Sequence, residues 1–244
     1  MYHVSSLVHI VDMKTMVGSE IIQNAVAQNR TALTEYEAKE FLETLGLPVT
    51  KQVLADTKDA AVKAAKEIGF PVVMKLMAED VVHKSDVGAV KLDIKDESEV
   101  KTTFEELMKI PSNSKKQVSI QEMAQKPIAE LIVGTLQDPQ FGPAIMFGIG
   151  GILVEIMKDV SFRICPITEF DADEMIHEIK AFKLLDGFRG SPKADLKSLV
   201  SLLKTVSEIS MDNLDVDQMD LNPVFIYENG IKIVDARIIL KKSN

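Results

Sequence analysis

Lys75 stands inside an apolar run, Pro71-Val72-Val73-Met74-Lys75-Leu76, where a charge is costly to bury without a partner. It reads either as a strand-end lysine whose stem packs while its ammonium reaches water, or as a point charge aimed at the phosphates of a nucleotide. The run alone leaves both open. His83 lies in the polar stretch Val81-Val82-His83-Lys84-Ser85-Asp86-Val87-Gly88, between two apolar segments. A solvated loop histidine needs no function, but a neutral imidazole is also a nucleophile that can carry a phosphoryl group as a transient phosphohistidine. His3, His9 and His177 sit in the N-terminal stretch or beside charges on a helical pattern and need no role.

Near the end of the chain, Met219-Asp220-Leu221-Asn222-Pro223 places Asp220 and Asn222 on one side of an extended segment, because strand side chains repeat every two residues. Asp235 follows after a hairpin signal. Such oxygens suit a hard cation such as Mg²⁺ that keeps several waters and bridges phosphates; ordinary polarity around a turn accounts for them equally well. Phe147-Gly148-Ile149-Gly150-Gly151 invites a phosphate-loop reading, but it lacks both the Walker spacing with Lys-Ser or Lys-Thr and the full dinucleotide fingerprint. A strand is expected after it, so it is read as a tight turn. Cys165, the one cysteine, lies in the apolar stretch Phe162-Arg163-Ile164-Cys165-Pro166 and is read as a buried, inert thiol.

The elements that must position these residues follow from periodicity. Tyr36, Ala38, Phe41, Leu42 and Leu45 have helical spacing, with Thr34 as N-cap and Gly46 as the stop before Pro48. Gln52–Ala55 reads as a strand, then a helix capped by Asp56 or Thr57 and ending at Gly69, then strands at 71–76 and 88–94. A helix from about Ser98 to Met108 and a strand at 118–123 complete one compact α+β unit. The second half predicts strands at 130–136, 144–147 and 151–155, helices near 171–185 and 193–210, and strands at Val224–Tyr227 and Ile231–Val234. The last two are joined by Glu228-Asn229-Gly230, a strong hairpin signal. Two α+β subdomains facing each other across a ligand cleft is the architecture this implies.

Asp and Glu outnumber Lys and Arg by 37 to 28, and the net charge of −9 argues against nucleic acid or an anionic membrane as partner. Any phosphate ligand must be held locally. No uncharged apolar run of about 18 residues is present, so no membrane span is expected. The first 18 residues lack a basic n-region and are interrupted by Asp12 and Lys14, so they are read as an extra strand or a loose N-terminal extension and not a signal peptide. The single cysteine fits a reducing cytoplasm.

Six segments together carry a specific resemblance: EAKEFLETLGLPV, GFPVVMKL, VVHKSDVGAVKL, DPQFGPAIMFGIGGILVEIMKDVSFRICPIT, MDLNPVFIYENG and VDARIIL. In this order they resemble the beta subunits of ADP-forming acetyl-CoA synthetases, over about residues 19–240. The resemblance implies an ATP-grasp fold of the α+β class, two subdomains enclosing a nucleotide cleft. Residues 1–18 would be an extension, 19–50 a helical segment packed on the large subdomain, 51–123 the lid subdomain and 124–244 the large subdomain. It implies that Lys75 contacts phosphates, Glu122-Met123-Ala124 lines the adenine side, Glu130 binds ribose and Arg163 faces phosphate. Asp220, Asn222 and Asp235 would hold Mg²⁺. His83 falls on a phosphorylated histidine of the family. Inorganic phosphate would cleave acyl-CoA on a separate alpha subunit that holds most of the CoA site and a first phosphohistidine, and the phosphoryl group would pass through His83 to Mg·ADP, reversibly, in an α2β2 assembly. Two positions depart from the family pattern: Gln218 stands where Glu is frequent, and Ala89 replaces a glycine.

Two other functions are compatible with the same residues. One is an ATP-grasp carboxylate ligase that works through a free acyl phosphate without phosphohistidine. The other is a nucleotide-sensing subunit that binds ADP or ATP and transfers nothing.

Overall fold

In the computed structural model, the residues described are 18–80, 87–151 and 159–241. The chain divides into two compact units: Thr50–Gln125, and the segments before and after it.

Residues 18–27 form helix α1, and α2 spans Glu35–Thr44. The start of α2 is fixed by a capping box. The Thr34 hydroxyl accepts the Glu37 amide at 3.3 Å, while the Glu37 carboxylate accepts the Thr34 amide at 2.8 Å. Arg30 adds a two-pronged bond to the same carboxylate, at 2.8 and 2.7 Å. Ala38, Phe41 and Leu42 face the core, and the chain leaves the helix through Gly46 at φ 81°.

The smaller unit runs β1 (Gln52–Ala55), α3 (Lys58–Ile68), β2 (Val72–Met77), β3 (Val90–Ile94), α4 (Glu97–Lys109) and β4 (Gln117–Glu122). Its sheet has the order β1-β4-β2-β3, antiparallel throughout. Ala61, Ala65, Val100 and Leu107 of the helices pack on Val72, Met74, Leu76, Val118 and Ile120, which alternate along β2 and β4. Ala89 is fully buried in this core and its carbonyl accepts the Leu76 amide at 2.9 Å, so the methyl group that departs from the family pattern fills apolar space.

The larger unit adds β5 (Ala129–Asp138), β6 (Gly142–Ile149), β7 (Val160–Ile164), α5 (Glu169–Glu178), α6 (Phe182–Leu185), α7 (Leu196–Asp212), β8 (Val216–Ile226), β9 (Ile231–Ile233) and β10 (Ala236–Leu240). The order is β10-β8-β5-β6-β7, with β9 paired to β8. The core lies on one face, where Leu131, Val133, Ile145, Phe147, Met219, Leu221 and Ile238 meet α2, α5 and α7.

Several expected boundaries are corrected. The helix expected near 171–185 is broken after Glu178, because the carboxylate of buried Asp159 accepts the Lys180 and Ala181 amides at 2.8 and 2.7 Å and holds Ile179 extended. The helix expected at 193 starts at Leu196, where Asp195 accepts the Ser198 amide at 3.1 Å. The strand expected at Val224 begins at Val216, and β7 and β10 were not anticipated. The strand expected at 151–155 lies, apart from Gly151, outside the described residues.

Candidate functional site

Alternation along β2 turns Val72, Met74 and Leu76 into the helical core and Lys75 to the other face of the small sheet, where it is 5% exposed. Ser119 on β4 stands directly opposite Lys75, fully buried, and Gln121 Nε2 donates to its hydroxyl at 3.1 Å. Sequence reasoning passed over Ser119 and Gln121. Their signal was a polar residue at every second place of a strand whose other positions are apolar. Past Gln121 the chain leaves β4 through Glu122, Met123 and Ala124, all half-buried, and the Glu122 carboxylate accepts the Lys51 amide at 3.2 Å.

In the larger unit, Glu130 alternates with core Leu131 and so occupies the face opposite the helices. The glycine turn closes over it. The Gly150 amide donates to the Glu130 carbonyl at 2.7 Å, and a Cβ on Gly150 would meet the Leu131 backbone at 2.8 Å. Gly151, at φ +67°, brings its Cα side to the Glu130 carboxylate. The glycines therefore serve close backbone approach to β5.

Asp220 and Asn222 share this same face, between core residues Met219, Leu221 and Val224. Asp235 joins them through backbone pairing, its carbonyl accepting the Asn222 amide at 3.2 Å. The Asp220 carboxyl titrates above the ordinary aspartate range. Loss of hydration among protein atoms is the main cause, although the residue keeps an exposed edge, and the like charge of Asp235 adds to it while Arg237 pulls the other way. A divalent cation relieves such repulsion, and two carboxylates with one amide oxygen are hard donors that leave positions for water and phosphate. Among the described residues no group of three or more His, Cys, Asp or Glu side chains could hold a metal by itself.

Arg163 is not brought to this face. Its register partner on β6 is Ile145, in the core, and its guanidinium forks onto Glu178 of α5, with Glu174 at 3.8 Å. The hydrogen bonds to Glu178 raise the pKa of the Arg163 guanidinium above the usual arginine value. His83 lies outside the described residues. Cys165 is buried, as expected of an inert thiol. No helix among the described residues is long and apolar enough to cross a membrane.

Two antiparallel α+β units with these polar faces fit one class: the sequence matches the ATP-grasp domain family over residues 24–240. It is 51% identical to the beta subunit of an ADP-forming acetate–CoA ligase II from Pyrococcus furiosus, over 91% of this chain and 97% of that one. It is 48% identical to an ADP-forming acetate–CoA ligase II from Archaeoglobus fulgidus, over 85% of this chain and 30% of that longer one. Among solved structures it superimposes, with a TM-score of 0.83 and 44% identity, on an acetyl-coenzyme A synthetase from Ca. Korarchaeum cryptofilum in complex with coenzyme A and Mg-AMPPCP, covering 92% of this chain and 100% of that one; in that structure a phosphohistidine segment points towards the nucleotide binding site. The chain belongs to the ATP-grasp family and, within it, to the beta subunits of ADP-forming acid–CoA ligases, enzymes of the acid–thiol ligase class.

Proposed function

We propose that this chain binds Mg·ADP and takes a phosphoryl group from His83 to make ATP, as the nucleotide-handling half of an enzyme that converts acyl-CoA, ADP and phosphate to acid, CoA and ATP. The observation that carries the reading is the common face of Glu130, Asp220 and Asn222 with Asp235 beside them. In the larger unit Glu130 takes the ribose hydroxyls, and Asp220, Asn222 and Asp235 hold Mg²⁺. In the smaller unit Lys75 is the phosphate cation and Glu122-Met123-Ala124 takes the adenine edge. The bound ion would offset phosphate charge and align the β- and γ-phosphates. Burial of Lys75 lowers the local dielectric and strengthens its attraction for the charge that spreads over the phosphoryl oxygens in the transition state.

The partner is an alpha subunit that carries the CoA domain and the first phosphohistidine. That the Pyrococcus furiosus relative is called a beta subunit supports a separate partner chain. An α2β2 assembly in the cytoplasm is the arrangement we assign. Calorimetric titration with ADP tests the metal end: Asp220→Asn should abolish the Mg²⁺ dependence of binding, and an unchanged Mg²⁺ dependence would contradict it.

A further inference from the structure

Strand β10 brings a cation to the carboxylate face of the larger unit. Arg237 is the direct cross-strand partner of Asp220. It lies between Ala236 and Ile238, 2% and 0% exposed in the core, so its side chain shares the face of Asp220. Directly opposed residues of an antiparallel pair have Cβ atoms about 4.5–5.5 Å apart.

Arg237 acts on the Asp220 carboxyl through charge alone. Arg237 is exposed, and among the described residues its guanidinium makes no hydrogen bond or ion pair. The other three arginines are engaged: Arg30 with Glu37, Arg163 with Glu178, and Arg189 over the Phe188 ring. Among the described residues nothing engages the five N–H donors of the planar Arg237 fork. On the far side of Asp220 the same row continues to Gly134, where the Met146 side chain lies over the backbone, its Cε 3.6 Å from where a Cβ would stand. A Cβ there would already stand 3.2 Å from the Met219 carbonyl.

We propose that Arg237 binds the phosphoryl group in transit, holding its non-bridging oxygens next to Asp220 and Asn222. The proposal rests on reading Asp220, Asn222 and Asp235 as the metal end of the nucleotide site. In the forward transfer the P–N bond of phosphohistidine breaks, a P–O bond forms to a β-phosphate oxygen of ADP, and the leaving imidazole nitrogen takes one proton from solvent. Arg237 exchanges neither proton nor electrons. It acts through charge and through paired N–H donors that match the spacing of phosphoryl oxygens. The role assigned by resemblance to Arg163 is thereby filled from another strand and from the correct face of the sheet.

The test is single-turnover transfer from Mg·[γ-³²P]ATP to histidine, with the labelled group then discharged by ADP. Arg237→Gln should lower both rate constants about 100-fold while the dissociation constant for ATP changes less than about threefold, and Arg237→Lys should recover part of the rate. A wild-type transfer rate in Arg237→Gln, with Asp220→Asn inactive, overturns the proposal and leaves the metal reading standing. A loss in Arg237→Gln that saturating Mg²⁺ fully restores also overturns it, because the arginine would then act only on the carboxylates. If Asp220→Asn itself transfers at the wild-type rate, the metal reading has failed and the proposal falls with it.

Discussion

The carboxylate of Glu130 lies 2.7 Å from where a Cβ of residue 151 would stand, so Gly151 and Glu130 share one space. Gly151→Ala must displace that carboxylate and also places alanine at φ +67°, at a cost of about 1–2 kcal/mol. ADP affinity should therefore fall, as it should in Glu130→Ala, and the loss of stability should be smaller than that in Gly150→Ala. Gly150→Ala is the contrast. There the added atom meets the Leu131 backbone, and the cost should be about 3 kcal/mol of folding stability, read from denaturant midpoints.

Asp159 sets the break between α5 and α6. Removing its carboxylate leaves the Lys180 and Ala181 amides without their acceptor, so Asp159→Ala should destabilise the protein by about 3 kcal/mol. Hydrogen exchange at residues 179–182 should accelerate before that of α7.

Much of the fold was legible in local chemistry. Thr34 and Gly46 marked the ends of α2, and Thr57 and Gly69 those of α3, because caps are made by the side chains at hand. The break at Ile179 was not legible, since its cause is a carboxylate about twenty residues earlier. Strand β7 was hidden by its composition: Ser161 and Arg163 turn toward α5 while Phe162 and Ile164 are exposed, which reverses the usual alternation of apolar inside and polar outside. The pairing of Asp220 with Asn222 could be read from a period of two. The place of Arg163 and Arg237 could not, because it depends on which strands become neighbours.

Arg163 points away from the face that carries Glu130 and Asp220, and its charge is held by Glu178. Arg163→Met should leave ADP binding unchanged in calorimetry and lower the melting temperature slightly, as expected for an exposed ion pair. A loss of ADP affinity above about tenfold, nearly 1.4 kcal/mol, would show that the guanidinium reaches the nucleotide.

Glu37 gives the acid limb of stability a defined sign. Burial alone would raise its carboxyl, but the Arg30 guanidinium and the Thr34 amide and hydroxyl outweigh burial, and the group lies below the ordinary glutamate range. Its folded pKa is depressed, so its contribution is complete above the unfolded value of about 4.3 and is lost as pH falls through the folded value. Glu37→Gln should lower the denaturation midpoint near neutral pH and flatten its decline through the acid range. An unchanged acid limb would mean that the ionisation of Glu37 contributes nothing to folding.

The relay through His83 is tested most directly by mass spectrometry that preserves phosphohistidine, after incubation of the protein with Mg·ATP, comparing wild type with His83→Ala. A phosphate on His83 that disappears on addition of ADP, and no phosphorylated species in the variant, is the expected result. Bound nucleotide without phosphohistidine, even with the alpha subunit present, would contradict the relay and leave a direct ligase or a nucleotide sensor.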